Sequence, residues 1–271
     1  MRALLGAWRL LRVGLHLLHG LGIVLLRFEH WDASRRHALV QWWSAALLRH
    51  LGLRTEVSGS LPQEAVLLVA NHISWLDIAV IHSVCPQARF VSKADVSHWP
   101  LVGRLVRGAG TLFIQRERKR DAMRVVHEMA AALRAGDTLA VFPEGTTGEG
   151  PQVQPFHANL LQAAIAVEAV VQPVALRYSQ PGQRFSEAAQ YLGETSLLTS
   201  MWRIACAPEL SMQVQFLPPQ PSTQFERRAL AEQLRGQIQA ALDGGSRRLT
   251  QTELGAAGSP AVTPPTASAK P

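Results

Sequence analysis

A series of short β-type runs, alternating with helical stretches, sets the tightest limit on what this chain can fold into. The clearest is residues 65–70 (AVLLVA), apolar without a break, the pattern of a strand buried on both faces. Residues 89–92, 111–114, 138–142 and 170–176 read the same way, and residues 210–217 (LSMQVQFL) form a further strand ended by Pro218 and Pro219. Between them lie helical candidates at 78–84, 99–107, 118–135 and 159–167, and a last helix over 227–242 that stops at Gly244-Gly245. Strands alternating with helices predict an α/β fold with a mixed, largely parallel sheet flanked by helices. With 271 residues, nearly half of them apolar, the chain suffices for one such domain with additions at its ends.

The additions differ in kind. Residues 13–26 carry no charge and follow an apolar stretch interrupted by Arg9 and Arg12. Such a run is short of the roughly 20 residues a spanning helix needs, and His16, His19, Gly14, Gly20 and Gly22 weaken it further. No clear small-x-small cleavage site follows, as a signal peptide requires. Residues 35–51 place Leu39, Trp42, Trp43, Ala46 and Leu47 at helical spacing, and paired Trp with nearby Arg suits the headgroup zone of a bilayer. Residues 1–51 are therefore expected as two membrane-associated helices on the cytoplasmic face of the cytoplasmic membrane. The competing reading is a soluble helical hairpin packed on the domain. Residues 52–243 form the α/β domain. Residues 244–271, rich in Gly, Ser, Thr, Ala and Pro, are expected to be a disordered tail.

The formal charge of +7 and a pI near 10.4 favour polyanions: nucleic acid, anionic lipid headgroups, or CoA and phosphorylated substrates. No strand or helix interleaves basic and aromatic residues as a nucleic-acid module would, so no nucleic-acid partner is expected. Cys85 and Cys206 stand far apart, with no CxxC and no zinc-ligand spacing. Neither a disulfide nor a metal site is expected, and the compartment reads as reducing.

Four motifs carry chemistry, each next to or within a strand. The first, Asn71-His72-Ile73-Ser74-Trp75-Leu76-Asp77, follows the AVLLVA run, at the strand end that faces the ligand crevice of an open α/β sheet. A turn there can fold Asp77 back onto His72, fixing the imidazole tautomer and leaving the other ring nitrogen to take a proton from a hydroxyl. That is the base half of a Ser-His-Asp triad with the substrate's alcohol in place of the serine. Taken alone the His-x4-Asp spacing is unspecific, and Asn71 and Asp77 could equally cap a helix. The second motif, Gly110-Thr111-Leu112-Phe113-Ile114-Gln115-Arg116, puts Arg116 at a strand end, where its fork suits a phosphate. The third, Phe142-Pro143-Glu144-Gly145-Thr146-Thr147, gathers a carboxylate, backbone N–H groups and a hydroxyl in one turn, which suits a polyol phosphate or is simply a β-turn. The fourth, Val170-Val171-Gln172-Pro173-Val174, holds a proline inside a strand, which marks an edge or a bulge beside a site.

In order and spacing these motifs closely resemble the glycerolipid acyltransferase family that includes the 1-acyl-glycerol-3-phosphate acyltransferases, with NHxxxxD, FIxR, FPEGT and a Val/Pro strand. The resemblance runs from about residue 53 to 219, and Lys93 also looks like a family lysine. It implies a fatty acyl transfer from acyl-CoA or acyl carrier protein to the free hydroxyl of a lysophospholipid, first of all 1-acyl-glycerol-3-phosphate giving phosphatidate. His72 would be the general base polarised by Asp77, while Arg116, Glu144, Gly145 and Thr146 would hold the acceptor. No metal, no resident cofactor and no acyl-enzyme are implied; the expected partners are the lysolipid, the acyl donor and the membrane.

The sequence departs from the family at two places. Where the family often has Arg-Ser after FPEGT, this chain has Thr147-Gly148, and where it has Pro-Phe-Lys-x-Gly the chain has Pro155-Phe156-His157-Ala158-Asn159. These changes bear on the acceptor's headgroup and bring lyso-ornithine lipid in as the alternative acceptor. A non-catalytic lipid-binding scaffold would have no need of His72 and Asp77, and the absence of G-x-S-x-G argues against a serine hydrolase.

Overall fold

In the computed structural model, residues 2–26, 28–62, 64–93, 111–114 and 119–254 are described. Eight strands among them form one sheet: β1 (Arg54–Ser58), β2 (Val66–Ala70), β3 (Arg89–Lys93), β4 (Leu112–Ile114), β5 (Leu139–Val141), β6 (Val170–Ser179), β7 (Ser211–Phe216) and β8 (Gln220–Pro221). The order is β1-β7-β6-β2-β5-β3-β4, with β8 also paired to β6. Neighbours run parallel except where β6 meets β7 and β8. The sheet is thus mixed and largely parallel, as the alternating pattern implies. The helices are α1 (Arg2–Leu26), α2 (Ala33–Leu51), α3 (Leu76–Val84), α4 (Lys119–Arg134), α5 (Gln162–Ala166), α6 (Leu197–Cys206) and α7 (Arg227–Leu254).

β2 lies between β5 and β6 with every residue buried, so both its faces must be apolar. Its side chains alternate between two cores, as strand geometry demands. Val66, Leu68 and Ala70 join Leu47, Leu51, Leu76, Val80 and Ile204 from α2, α3 and α6. Leu67 and Val69 join Met129, Leu133, Leu230 and Leu234 from α4 and α7. Fully burying such a side chain stabilises the fold by about 1.5–3 kcal/mol.

Pro173 sits inside this sheet, opposite Val69 of β2, and not on an edge strand. It falls where the other flank of β6 changes partner, from β7, which pairs from Val174 onward, to β8, which pairs with Val170 and Val171. Leu217 N–H still donates to Pro173 O at 2.9 Å. The return bond, which proline cannot make, is replaced by the Gln172 side-chain amide, donating to Leu217 O at 2.9 Å and to Ser60 O at 2.8 Å.

β1, α6 and the two-residue β8 went unmarked in the sequence. β1 is an edge strand of polar composition with an exposed or half-buried pattern throughout, so it carries no apolar run. α6 is only ten residues long, started by Ser196, whose side chain accepts from Thr199 N–H. The last helix does not stop at Gly244-Gly245 but runs to Leu254, so the stretch expected as disordered tail begins as helix. A helical glycine costs about 1 kcal/mol relative to alanine, and α7 carries that cost without ending. The remainder of the expected tail, residues 255–271, and the expected helix at 99–107 lie outside the described residues.

At the N-terminus the two helices expected to be membrane-associated have different surroundings. α1 is 25 residues long, and an 18-residue window of mean hydropathy 1.5 makes it long and apolar enough to cross a membrane. Only 17% of that window is buried. It packs through Gly6, Val13, His16 and Gly20, whereas Leu4, Trp8, Leu11, Leu15 and Leu18, at helical spacing, point outward. α2 does the reverse: Ala46, Leu47, Leu48 and Leu51 are buried in the domain's core. The expectation of two membrane helices is corrected on this point, because α1 alone of the pair qualifies by length and composition.

Candidate active site

The site begins where β2 ends. Asn71 continues the sheet with its side chain: its amide donates to Leu176 O at 2.9 Å, and its Oδ1 accepts from Leu176 N–H at 2.8 Å. This double bond to β6 fixes the turn before His72. The chain then folds into α3, whose first turn carries the fully buried Asp77.

Asp77 Oδ2 accepts from His72 Nδ1 at 2.8 Å and from the backbone N–H groups of Ile73 at 2.7 Å and Ser74 at 3.0 Å. Its Oδ1 accepts from the Tyr178 hydroxyl at 2.7 Å. Every partner is a donor, so His72 carries its proton on Nδ1 and presents a lone pair at Nε2. Burial first, and then the charge of Asp77 and its hydrogen bond, raise the Tyr178 hydroxyl well above its ordinary value. It therefore stays protonated and keeps donating. The His72 side chain remains 19% exposed, so it stays within reach of a substrate.

The Phe142–Thr147 turn, at the end of β5, holds His72 from the other side. Glu144 Oε1 accepts from His72 N–H at 2.6 Å and Oε2 from Gln154 N–H at 2.9 Å. Gly148 N–H donates to His72 O at 2.7 Å. The imidazole stacks on Phe142 with ring centres 4.1 Å apart and planes 10° from parallel. Gly145 has φ +71, a left-handed conformation that glycine adopts without the Cβ penalty. Burial raises the Glu144 carboxyl above its ordinary value, against the Gln154 and His72 amides, which favour the charged form.

Of the residues singled out in the sequence, the fold brings His72, Asp77, Glu144 and Gly145 together. Thr146 is exposed on the same turn, and both carboxylate oxygens of Glu144, expected to hold the acceptor, take main-chain amides. Thr147 donates its hydroxyl to Tyr191 O. Lys93 ends β3 beside Ile114 of β4, and Arg116 lies outside the described residues. Tyr178 was missed. Its signal was a lone tyrosine near the end of a buried strand, where a hydroxyl needs a partner. Among the described residues no three His, Cys, Asp or Glu side chains gather as a metal site would require.

A partly exposed histidine oriented by a buried carboxylate can take a proton from an alcohol as it attacks a carbonyl. Comparison with known proteins leads to the same chemistry. A family model described as Acyltransferase matches residues 54–177. The chain is 38% identical to a lyso-ornithine lipid O-acyltransferase of Pseudomonas aeruginosa over 77% of its own length and 80% of the relative's. It is 34% identical to a 1-acyl-sn-glycerol-3-phosphate acyltransferase of Neisseria gonorrhoeae, over 76% and 81%. The crystal structure of the 1-acyl-sn-glycerophosphate acyltransferase PlsC from Thermotoga maritima shares the fold, with a TM-score of 0.69 at 20% identity over 96% of this chain and 100% of that one. The chain belongs to the acyltransferase family of lysolipid-acylating enzymes.

Proposed function

We propose that the chain transfers a fatty acyl group from acyl-CoA or acyl carrier protein to the free hydroxyl of lyso-ornithine lipid, with His72 as general base. The observation that carries the mechanism is the His72–Asp77 bond of 2.8 Å, backed by three further donors on the same carboxylate. Nε2 takes the hydroxyl proton while the acceptor oxygen attacks the thioester carbonyl. The tetrahedral adduct collapses, the C–S bond breaks, and the departing sulfur receives the proton held by His72. Asp77 stabilises the imidazolium formed between the two transfers.

Lysophosphatidate ranks first on motif pattern alone, but two features favour the ornithine lipid. One is the similarity to the Pseudomonas enzyme. The other is the turn itself: where the family often has an arginine, Thr147 turns its hydroxyl to Tyr191 O and supplies no cation for a phosphate. The similarity to the Neisseria enzyme keeps lysophosphatidate as the second reading. In this scheme Arg116, Gly145 and Thr146 meet the acceptor, and Glu144 positions the main chain of His72. Residues 52–243 are the catalytic unit, and residues 1–51 join it to the cytoplasmic membrane, with α1 meeting lipid and the site facing the cytoplasm.

The test is release of free thiol from palmitoyl-CoA or palmitoyl-carrier protein by membranes carrying wild type or His72→Ala. Release dependent on lyso-ornithine lipid and on His72 is the expected outcome. Dependence on lysophosphatidate keeps the mechanism and replaces the acceptor. Equal release with no acceptor would make the protein a thioesterase and overturn the reading.

A further inference from the structure

α6 carries an outer face that the described residues of the domain leave largely open. Leu198 is 77% exposed and Trp202, one turn on, is 42% exposed, with Arg203 exposed beside it. Its inner face is built in the opposite way: Ser200, Ile204 and Ala205 are buried.

Two connections give that outer face a meaning. The first joins α6 to α1. Gly6 seats the end of α6, since a Cβ there would meet Cys206 Sγ and lie 3.5 Å from the Trp202 ring. Arg9 of α1 donates to Ala205 O at 2.9 Å and Ala207 O at 3.0 Å, satisfying carbonyls at the C-terminal end of α6. The second joins α6 to the catalytic turn. Ser200 Oγ accepts from Trp75 Nε1 at 3.1 Å, and Trp75 lies between His72 and Asp77 in the chain.

From this we infer that α6 is a second lipid-contacting element, lying at the bilayer surface beside α1 and holding the His72 turn at a set height above the lipid. The inference rests on the membrane association of α1. An outward-facing leucine and tryptophan one turn apart, with an adjacent arginine, match the composition of helices that lie in the interface. Tryptophan takes the boundary between headgroup and chain, leucine the acyl side, and arginine the phosphates. Because α6 packs directly on α1 through Gly6 and Arg9, a bilayer that covers the outward face of α1 reaches the neighbouring α6.

The experiment uses the full chain reconstituted into phosphatidylcholine vesicles, with the environment-sensitive NBD fluorophore on Leu198→Cys, on Leu11→Cys, or on Glu232→Cys as a control on α7. Vesicles with and without nitroxide-bearing lipid report contact with the bilayer. The expected result is strong quenching at positions 198 and 11 and little at 232, with position 198 quenched best by a nitroxide near the headgroup. Quenching at 11 without quenching at 198 overturns the inference while leaving α1 in the membrane. No quenching at either position overturns the membrane reading and the inference with it. Protection of the 198 label from aqueous iodide without lipid quenching would place another copy of the chain there, and also overturns the inference. As a second measurement, Leu198→Gln/Trp202→Gln should raise KM for vesicle-presented lysolipid about tenfold with kcat within about twofold. Unchanged KM, with the fold intact by melting, counts against the role.

Discussion

The turn after β2 and the outer face of α1 both depart from the usual division of polar outside and apolar inside, in opposite directions. The turn takes Asn71 and Asp77 into the interior, and Glu144 of the turn after β5 is buried against it. α1 leaves Leu4, Trp8, Leu11, Leu15 and Leu18 outside. Asp77 is met by four donors and Glu144 by two amides, so the burial of both carboxylates is compensated within the protein. On α1 none of the described residues covers the leucines, and an apolar face left open in this way points to a partner outside the domain. A buried charge held by internal bonds is a mark of chemistry, and an apolar face without internal cover is a mark of a partner.

Removing the base tests the first half of that contrast with the largest effect. His72→Ala should lower kcat by about 10²–10⁴-fold, the usual range for a general base, with vesicle flotation unchanged. Near wild-type turnover would remove His72 from the mechanism.

The two N-terminal helices can be set against each other directly. Leu47→Ala, in the buried face of α2, should cost about 2–5 kcal/mol of stability. Leu15→Ala, on the outward face of α1, should change the melting temperature of detergent-solubilised protein little, by about 0.5 kcal/mol or less, yet weaken flotation with vesicles. Equal destabilisation by both would mean that α1 is ordinary core helix.

A third buried polar group sharpens the rule through pH. His82, on α3, donates Nε2–H to Ala88 O at 3.0 Å, and burial lowers its pKa to about 4 despite that bond. The unfolded chain protonates His82 near its ordinary value of 6.5. Between those values the unfolded state binds more protons, so stability rises with pH across the window and is lost as pH falls from about 6.5 toward 4, by up to ~3 kcal/mol. Chemical denaturation of His82→Gln over this range should show a shallower slope; an identical slope would assign the loss to other groups.

A smaller effect on turnover than that of His72→Ala is expected at Tyr178→Phe. Withdrawing one of four donors from Asp77 should cost about 1–3 kcal/mol of stability and lower kcat about tenfold. If the carboxylate is held well enough by its remaining partners, the melting temperature will fall and kcat will not.

What could be read from the sequence follows the same physics. β2, β5 and β6 were legible because strands buried on both sides need unbroken apolar runs. The pairing of His72 with Asp77 was legible because only five positions separate them. Tyr178 lies 101 positions from Asp77, and no local pattern joins the two. Glu144 read as a ligand for substrate because a carboxylate in a turn looks available; its main-chain amides appear only once β2 and β5 lie side by side. α1 looked too short because its charges were counted as breaks, whereas Arg9 turns to the carbonyls that end α6.

Pro173 and Gln172 have a consequence for the chemistry five residues further along the strand. A parallel or antiparallel ladder of ordinary residues can slide, since each rung resembles the next. Here one rung is unique: it lacks a main-chain hydrogen, and a neighbouring side chain replaces it at Leu217 O. Sliding β6 by one position would strand that substitute and, because side chains alternate, turn Tyr178 away from Asp77. The proline thus works as an index mark, letting the sheet be assembled in one alignment, the one in which the hydroxyl arrives at the carboxylate.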